Sequence, residues 1–286
     1  MREKRTPFAG RVIPWVKALA GGAIAGLISA AAMYALFLLL RVATGVPTPS
    51  EMFADRSAPY IPVPLFGILI GLAGGYTPLK IVGFTSVVLA ALVVGAAGGA
   101  VAARRFERPA RFVWSFAATL FAVTVVVFWP VLQTNYFGLP PRPARIATIA
   151  VLLTGYVVYA GVTLFVLRVD ATATNSSRRR FLVGSVAGAA AFVGIASWAE
   201  LFRRAAFSYD GQTVKGPGVS VITPNERFYT VTKNVTDPTV DADLWRLTVG
   251  GAVSQPLPFD YAQFTALPSV TQETTPHALA RPARSS

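Results

Sequence analysis

The stretch ALAGGAIAGLISAAAMYALFLLL (residues 18–40) decides the fold class of this chain. It carries no charged side chain, and it is as long as the ~20 apolar residues that a helix needs to cross the hydrocarbon core of a bilayer. Similar apolar runs follow at about 81–103, 113–132, 146–167 and 181–202. Together with a mean hydropathy of +0.53, they predict an all-α membrane domain of about five transmembrane helices in contact with the lipid bilayer.

The charged residues lie mostly in the loops between these runs, and their distribution predicts an orientation. Cytoplasmic loops of membrane proteins are enriched in Lys and Arg. The N-terminus and the loops after the second and fourth runs are the more basic ones here, which predicts a cytoplasmic N-terminus and an extracytoplasmic C-terminal segment in a cytoplasmic (inner) membrane. These loops hold Arg2, Lys4, Arg5, Arg11, Lys17, Arg104, Arg105, Arg108, Arg111, Arg168, Arg178, Arg179 and Arg180, whereas the other loops hold Arg41, Arg56, Lys80, Arg142 and Arg145.

A shorter apolar segment, from Pro64 to Tyr76, lies between the first two runs. It is too short to cross a bilayer comfortably, and prolines flank it. A crossing here would also move the Arg104–Arg111 loop outside and abolish the charge asymmetry of the loops. We therefore expect residues 61–78 to form an interfacial or re-entrant piece on the outer side of the membrane.

The composition excludes several classes of function. The 286 residues include no cysteine and one histidine, His277, so disulfides, thiolate metal sites and a haem held by two spans are excluded. No apolar run carries a charge near its middle, as ion and proton paths do, which argues against a transporter. The net charge of +13 is concentrated in short loops beside apolar runs, which argues against a nucleic-acid partner.

Glycine pairs at four-residue spacing occur in three of the apolar runs. They are Gly22/Gly26, Gly95/Gly99 and Gly184/Gly188. This spacing allows two helix backbones to approach closely. The favoured interpretation is packing between helices of the same chain, and the alternative is a homodimer interface.

The fifth run is preceded by Ser177-Arg178-Arg179-Arg180-Phe181-Leu182. This stretch resembles a twin-arginine export motif, in which Arg178, Arg179, Phe181 and Leu182 would be read by the twin-arginine translocase. That translocase moves folded, usually cofactor-bearing domains. The alternative is an ordinary positive-inside anchor, because arginines before an apolar helix are common.

Beyond about residue 207 the chain becomes more polar, with β-like alternation in Leu244–Val253 and a short amphipathic helix in Tyr261–Leu267. Two of its segments are ITPNERFY (residues 222–229) followed by Lys233-Asn234, and Trp245-Arg246-Leu247-x-x-Gly250-Gly251-x-Val253-x-x-Pro256-Leu257. They resemble the opening of the oxidoreductase molybdopterin-binding domain, over about residues 176–275. The resemblance implies the N-terminal part of a mixed α+β domain of the sulfite-oxidase fold.

The same resemblance implies a cofactor and a function. The cofactor would be molybdenum-molybdopterin, and the activity would be oxygen-atom or two-electron transfer outside the cytoplasmic membrane. The family positions that approach the pterin are matched by Phe228, Tyr229, Thr232, Lys233 and Asn234. Val231-Thr232-Lys233 departs from the Arg-Asn-His of sulfite oxidases, which leaves the contacts and the substrate open.

The family continues with a cysteine that ligates molybdenum, whereas this sequence continues with Pro276-His277-Ala278. We therefore expect a four-span domain (1–175), the export motif with a fifth span (176–206), an incomplete cofactor domain (207–275) and an aberrant or disordered tail (276–286). We expect no metal-ligating residue and no molybdenum bound by this chain, which would then be an inactive fragment. The alternative is a non-catalytic scaffold or anchor subunit that binds a membrane redox partner or forms a homodimer.

Overall fold

A computed structural model of the chain describes residues 9–104, 109–172, 176–203 and 242–270. The chain forms two compact units, Met1–Thr239 and Val240–Ser286. The described part of the first unit is helical, and the described part of the second contains two strands and one short helix.

The five predicted spans are all helices. They are α1 (Ala9–Thr44), α4 (Tyr76–Arg104), α5 (Pro109–Phe128), α6 (Pro141–Thr172) and α7 (Ser176–Arg203). Each is long and apolar enough to cross a membrane. A helix rises about 1.5 Å per residue, so even α5 matches the ~30 Å of bilayer hydrocarbon. The five helices fit a multi-pass membrane protein, as the sequence predicts.

The first helix lies at the centre of the bundle. It packs against α4, α6 and α7, and α5 packs mainly against α6. Phe37 of α1, Leu152 of α6 and Leu201 of α7 are fully buried in this core. The opposite faces carry exposed apolar side chains such as Val93 and Val126, which is the surface that helices present to lipid.

Glycines set the close approach of α1 and α4. A methyl group on Gly26 would collide with the carbonyl oxygen of Gly95, and one on Gly99 with that of Gly22. The intrachain packing predicted for these two pairs is confirmed. For Gly184/Gly188 it is wrong within the described part of the chain, because no neighbouring atom lies within 4 Å of a Cβ placed at either residue.

Two short helices connect α1 to α4. The first is α2 (Pro49–Ser57), which is followed by a 3-10 turn at Ala58–Tyr60. The second is α3 (Val63–Ala73), with 11 residues. Its rise of about 16 Å is half the thickness of the hydrocarbon core, so it is too short to cross, as the sequence predicts.

The second unit contains an antiparallel strand pair, β1 (Arg246–Val249) and β2 (Leu257–Asp260), in which Arg246 is opposite Asp260 and Val249 is opposite Leu257. The helix α8 (Tyr261–Thr265) follows β2 directly. The predicted strand within 244–253 and the predicted helix at 261–267 are both confirmed in shorter form. The larger sulfite-oxidase-like architecture stays a prediction.

Candidate functional site

The residues expected to approach a pterin lie outside the described part of the chain. They are Phe228, Tyr229, Thr232, Lys233 and Asn234. Their role therefore stays a prediction.

The export motif lies in the first two turns of α7, which begins at Ser176. The side chain of Phe181 is 71% exposed and that of Leu182 is half-buried. The side chains of Arg178 and Arg179 lie outside the described ones. The structure thus gives the motif a helical backbone and leaves its recognition as a signal a prediction.

The described residues do not fit a molybdenum centre. They contain no group of three or more His, Cys, Asp and Glu side chains that could hold a metal ion. The 286 residues also include no cysteine to supply the thiolate ligand that the resemblance implies.

A buried ion pair at the end of α1 is the main polar site of the described membrane unit. The Nε of Arg41 donates to both carboxylate oxygens of Glu51, at 2.9 and 3.1 Å. Both side chains are almost fully buried, with 3% and 2% exposed. Arg41 lies in the last turn of α1 and Glu51 in the first turn of α2, so the pair joins these two helices.

The sequence around Glu51 explains why α2 starts there. Pro49 occupies the first helical position, and Thr48 precedes it as the N-cap. The hydroxyl of Thr48 accepts a hydrogen bond from the backbone N–H of Glu51. In return, the backbone N–H and the hydroxyl of Thr48 donate to Oε2 of Glu51, at 2.8 and 3.0 Å. This reciprocal arrangement is a capping box, which satisfies backbone donors at a helix start. Glu51 therefore caps its own helix and neutralises Arg41.

The segment between α5 and α6 covers the other side of Arg41. The ring of Tyr136 lies against the guanidinium, with its centroid 3.6 Å from Cζ, which is the geometry of a cation–π contact. The backbone N–H of Tyr136 donates to the carbonyl of Gly45 at 2.8 Å. The amide of Asn135 donates to the carbonyl of Thr44 at 3.2 Å. This segment is therefore fixed to the end of α1.

A second set of hydrogen bonds holds α2 against α4. The hydroxyl of Ser50 donates to the carbonyl oxygen of Phe84 at 3.1 Å, and it is hydrogen-bonded to the hydroxyl of Tyr34. All three residues are buried. We call Arg41, Thr48, Glu51 and Tyr136 the Arg41 cluster. This cluster and the Ser50 contacts bring α1, α2, α4 and the segment before α6 together at one end of the bundle.

The Arg41 cluster corrects one expectation from the sequence. The apolar pattern of the sequence places Arg41 in a loop, whereas it belongs to the last turn of α1 and is buried. Thr48-Pro49-Ser50-Glu51 matches the capping-box pattern and could have indicated the start of α2. The pairing with Arg41 depends on tertiary packing, which that pattern does not contain.

The comparisons with known proteins return no match. No protein-family model, no curated protein and no solved structure matches the chain. Any function must therefore be argued from the residues themselves.

Proposed function

We propose that this chain is a membrane-anchored member of the sulfite-oxidase-like molybdopterin oxidoreductases, in which the helical unit anchors an extracytoplasmic segment. The observation that carries the proposal is the order of the two units. Five candidate spans come first, and a separate compact unit with β structure, Val240–Ser286, comes after them. The second motif of the resemblance falls in that unit.

The packing of this motif supports a folded unit in its own right. The Trp245 ring lies 5.7 Å from that of Tyr261 and 5.3 Å from that of Phe264, measured between centroids. Gly251 has a φ of +93° in the connection between the strands, a value that favours glycine. Asp260 caps α8 through a hydrogen bond of 2.7 Å from the N–H of Gln263. The motif and the residues directly after it thus form an aromatic contact, a turn and a helix start.

In this proposal the helical unit of the chain anchors and orients a redox domain. In this family the cofactor would supply the chemistry, and the protein supplies binding and position. Phe228, Tyr229, Thr232, Lys233 and Asn234 stay the proposed pterin contacts. Because the chain has no cysteine, we propose that residues 1–286 bind no molybdenum, and stoichiometric metal in the purified protein would overturn this part.

The second candidate function is a non-catalytic anchor subunit for a separate redox partner. It is favoured by the lack of cysteine and by the lack of a metal-binding group in the described residues. It predicts a stable complex with a partner subunit that carries the cofactor. The first candidate function does not require a partner subunit that carries the cofactor.

The export motif provides the test of the leading proposal. The double substitution Arg178→Lys and Arg179→Lys keeps both positive charges, so it preserves the positive-inside signal. It removes the guanidinium groups, which lysine does not replace in specific recognition. A single cysteine at Ala242, an exposed position of the second unit, reports on export in a chain that has no other thiol.

We expect a membrane-impermeant thiol reagent to label Ala242→Cys in intact cells, and the double lysine variant to lose this labelling. The matched control is Arg104→Lys with Arg111→Lys, which makes the same change at the end of α4 and the start of α5 and should label normally. Unchanged labelling of the double lysine variant would show that α7 is an ordinary anchor. The export proposal would then be wrong.

A further inference from the structure

The helix α3 has the composition of a buried helix and a large exposed surface. Its sequence, VPLFGILIGLA (residues 63–73), contains no polar or charged side chain. Helices that lie in the membrane interface carry a polar, usually basic, face opposite their apolar one. The absence of such a face in α3 argues against an interfacial position.

The exposed side of α3 is apolar. Leu65, Ile68 and Leu72 are 46%, 59% and 81% exposed, while Phe66 and Ile70 are half-buried. The helix packs against α4, so one side has a protein neighbour and the other has none among the described residues. Exposure of apolar surface to water costs roughly 25 cal/mol per Å². Placing the exposed side of α3 in hydrocarbon is therefore more favourable than placing it in water.

Local hydrogen bonds and prolines reduce the number of open backbone groups at the two ends of α3, which is favourable in hydrocarbon. At the C-terminal end, Gly74 has a φ of +80°. Its N–H donates to the carbonyl of Gly71 at 3.3 Å, and the N–H of Gly75 donates to that of Ile70 at 3.0 Å. At the N-terminal end, Pro64 has no N–H, and the N–H of Phe66 donates to the carbonyl of Pro62 at 3.0 Å. Fewer polar groups are thus left open to lipid.

We propose that α3 is immersed in the acyl chains of a single leaflet, with Leu65, Ile68 and Leu72 against lipid. Its rise of about 16 Å matches the thickness of one leaflet of a ~30 Å hydrocarbon core. The helix α4, against which α3 packs, also exposes apolar side chains, with Val82 and Leu89 at 54% and 60%. This proposal does not depend on the function of the second unit.

The absence of cysteine makes the test direct. Leu65→Cys, Ile68→Cys and Leu72→Cys are each spin-labelled in the full chain and reconstituted in phosphatidylcholine vesicles. Collision of the label with oxygen, which concentrates in lipid, is compared with collision with a water-soluble nickel chelate. Val93→Cys, 68% exposed on α4, is the matched reference. We expect oxygen access to exceed nickel access several-fold at all four sites.

Two results would overturn the proposal. Strong nickel access at the α3 sites, with oxygen access still dominant at Val93, would place α3 in water at the surface. Spin–spin broadening in the singly labelled protein would show that a second copy covers this side instead of lipid. Gly71→Cys is a further site if one variant fails to fold, because no neighbouring atom lies within 4 Å of a Cβ there.

Discussion

Glu51 joins α1 to the start of α2, because it accepts hydrogen bonds from Arg41 and Thr48 at once. Taking two charges out of water is expensive, and their attraction offsets the cost only while both are present. The stability of this end of the bundle therefore depends on keeping the pair intact. Deleting one member is a different perturbation from deleting both.

We expect Glu51→Ala to lower the free energy of unfolding by about 3–5 kcal/mol, because it leaves the Arg41 charge buried and removes the carboxylate half of the capping box of α2. The double variant Arg41→Met with Glu51→Leu should cost less, since no charge is left without a partner. Unfolding of the purified protein in mixed detergent micelles, followed by circular dichroism, measures both values.

Glu200→Ala is the matched control for this prediction. Glu200 and Arg203 also form an ion pair, at 2.8 Å, but the arginine is 76% exposed. Solvent screens an exposed pair, so we expect little change in stability. A decrease in the free energy of unfolding for Glu51→Ala as small as that for Glu200→Ala would contradict the assignment of Arg41 and Glu51 as a buried ion pair that joins α1 and α2.

At the scale of the elements, the close contact between α1 and α4 depends on glycine. The glycines Gly184 and Gly188 of α7 make no such contact with the described residues. We expect Gly26→Ala to destabilise the protein by about 1–3 kcal/mol or more, because its methyl group would meet the backbone of α4. Gly188→Ala should be neutral or stabilising by up to about 1 kcal/mol, since alanine favours helix and no atom opposes it. Detergent unfolding of the two variants provides the comparison, and equal losses would refute the packing described for α1 and α4.

The same elements show how far the sequence could predict this fold. Long uncharged runs predicted the five helices, because crossing hydrocarbon requires that length and composition. The identical spacing of Gly22/Gly26 and Gly184/Gly188 could not tell which pair packs within the chain, since spacing does not fix the direction in which a helix face points. Arg41 was missed as a site for a similar reason, because its burial depends on Glu51 and on Tyr136, which is 95 positions further along.

At the scale of the whole molecule, the number of crossings decides the orientation. Three spans, α4 to α6, separate Tyr60 from Ser177 if α3 does not cross. We therefore expect Tyr60→Cys, at a 69% exposed site, to react with an impermeant thiol reagent in intact cells, and Ser177→Cys to react only after permeabilisation. Labelling of both residues from the same side would show that α3 crosses, and the proposed orientation would be wrong.

The central position of α1 also bears on the timing of assembly. The helix on which α4, α6 and α7 pack is the first of the five to leave the ribosome. At about 5–20 residues per second, roughly 130 residues of further synthesis separate the end of α1 from the start of α7, or about 7–30 s. During that interval the face of α1 that packs against α7 has no α7 partner, whereas Glu51 follows Arg41 by only 10 positions. We therefore expect the later helices to pack onto α1 in the order of their translation, with α7 last.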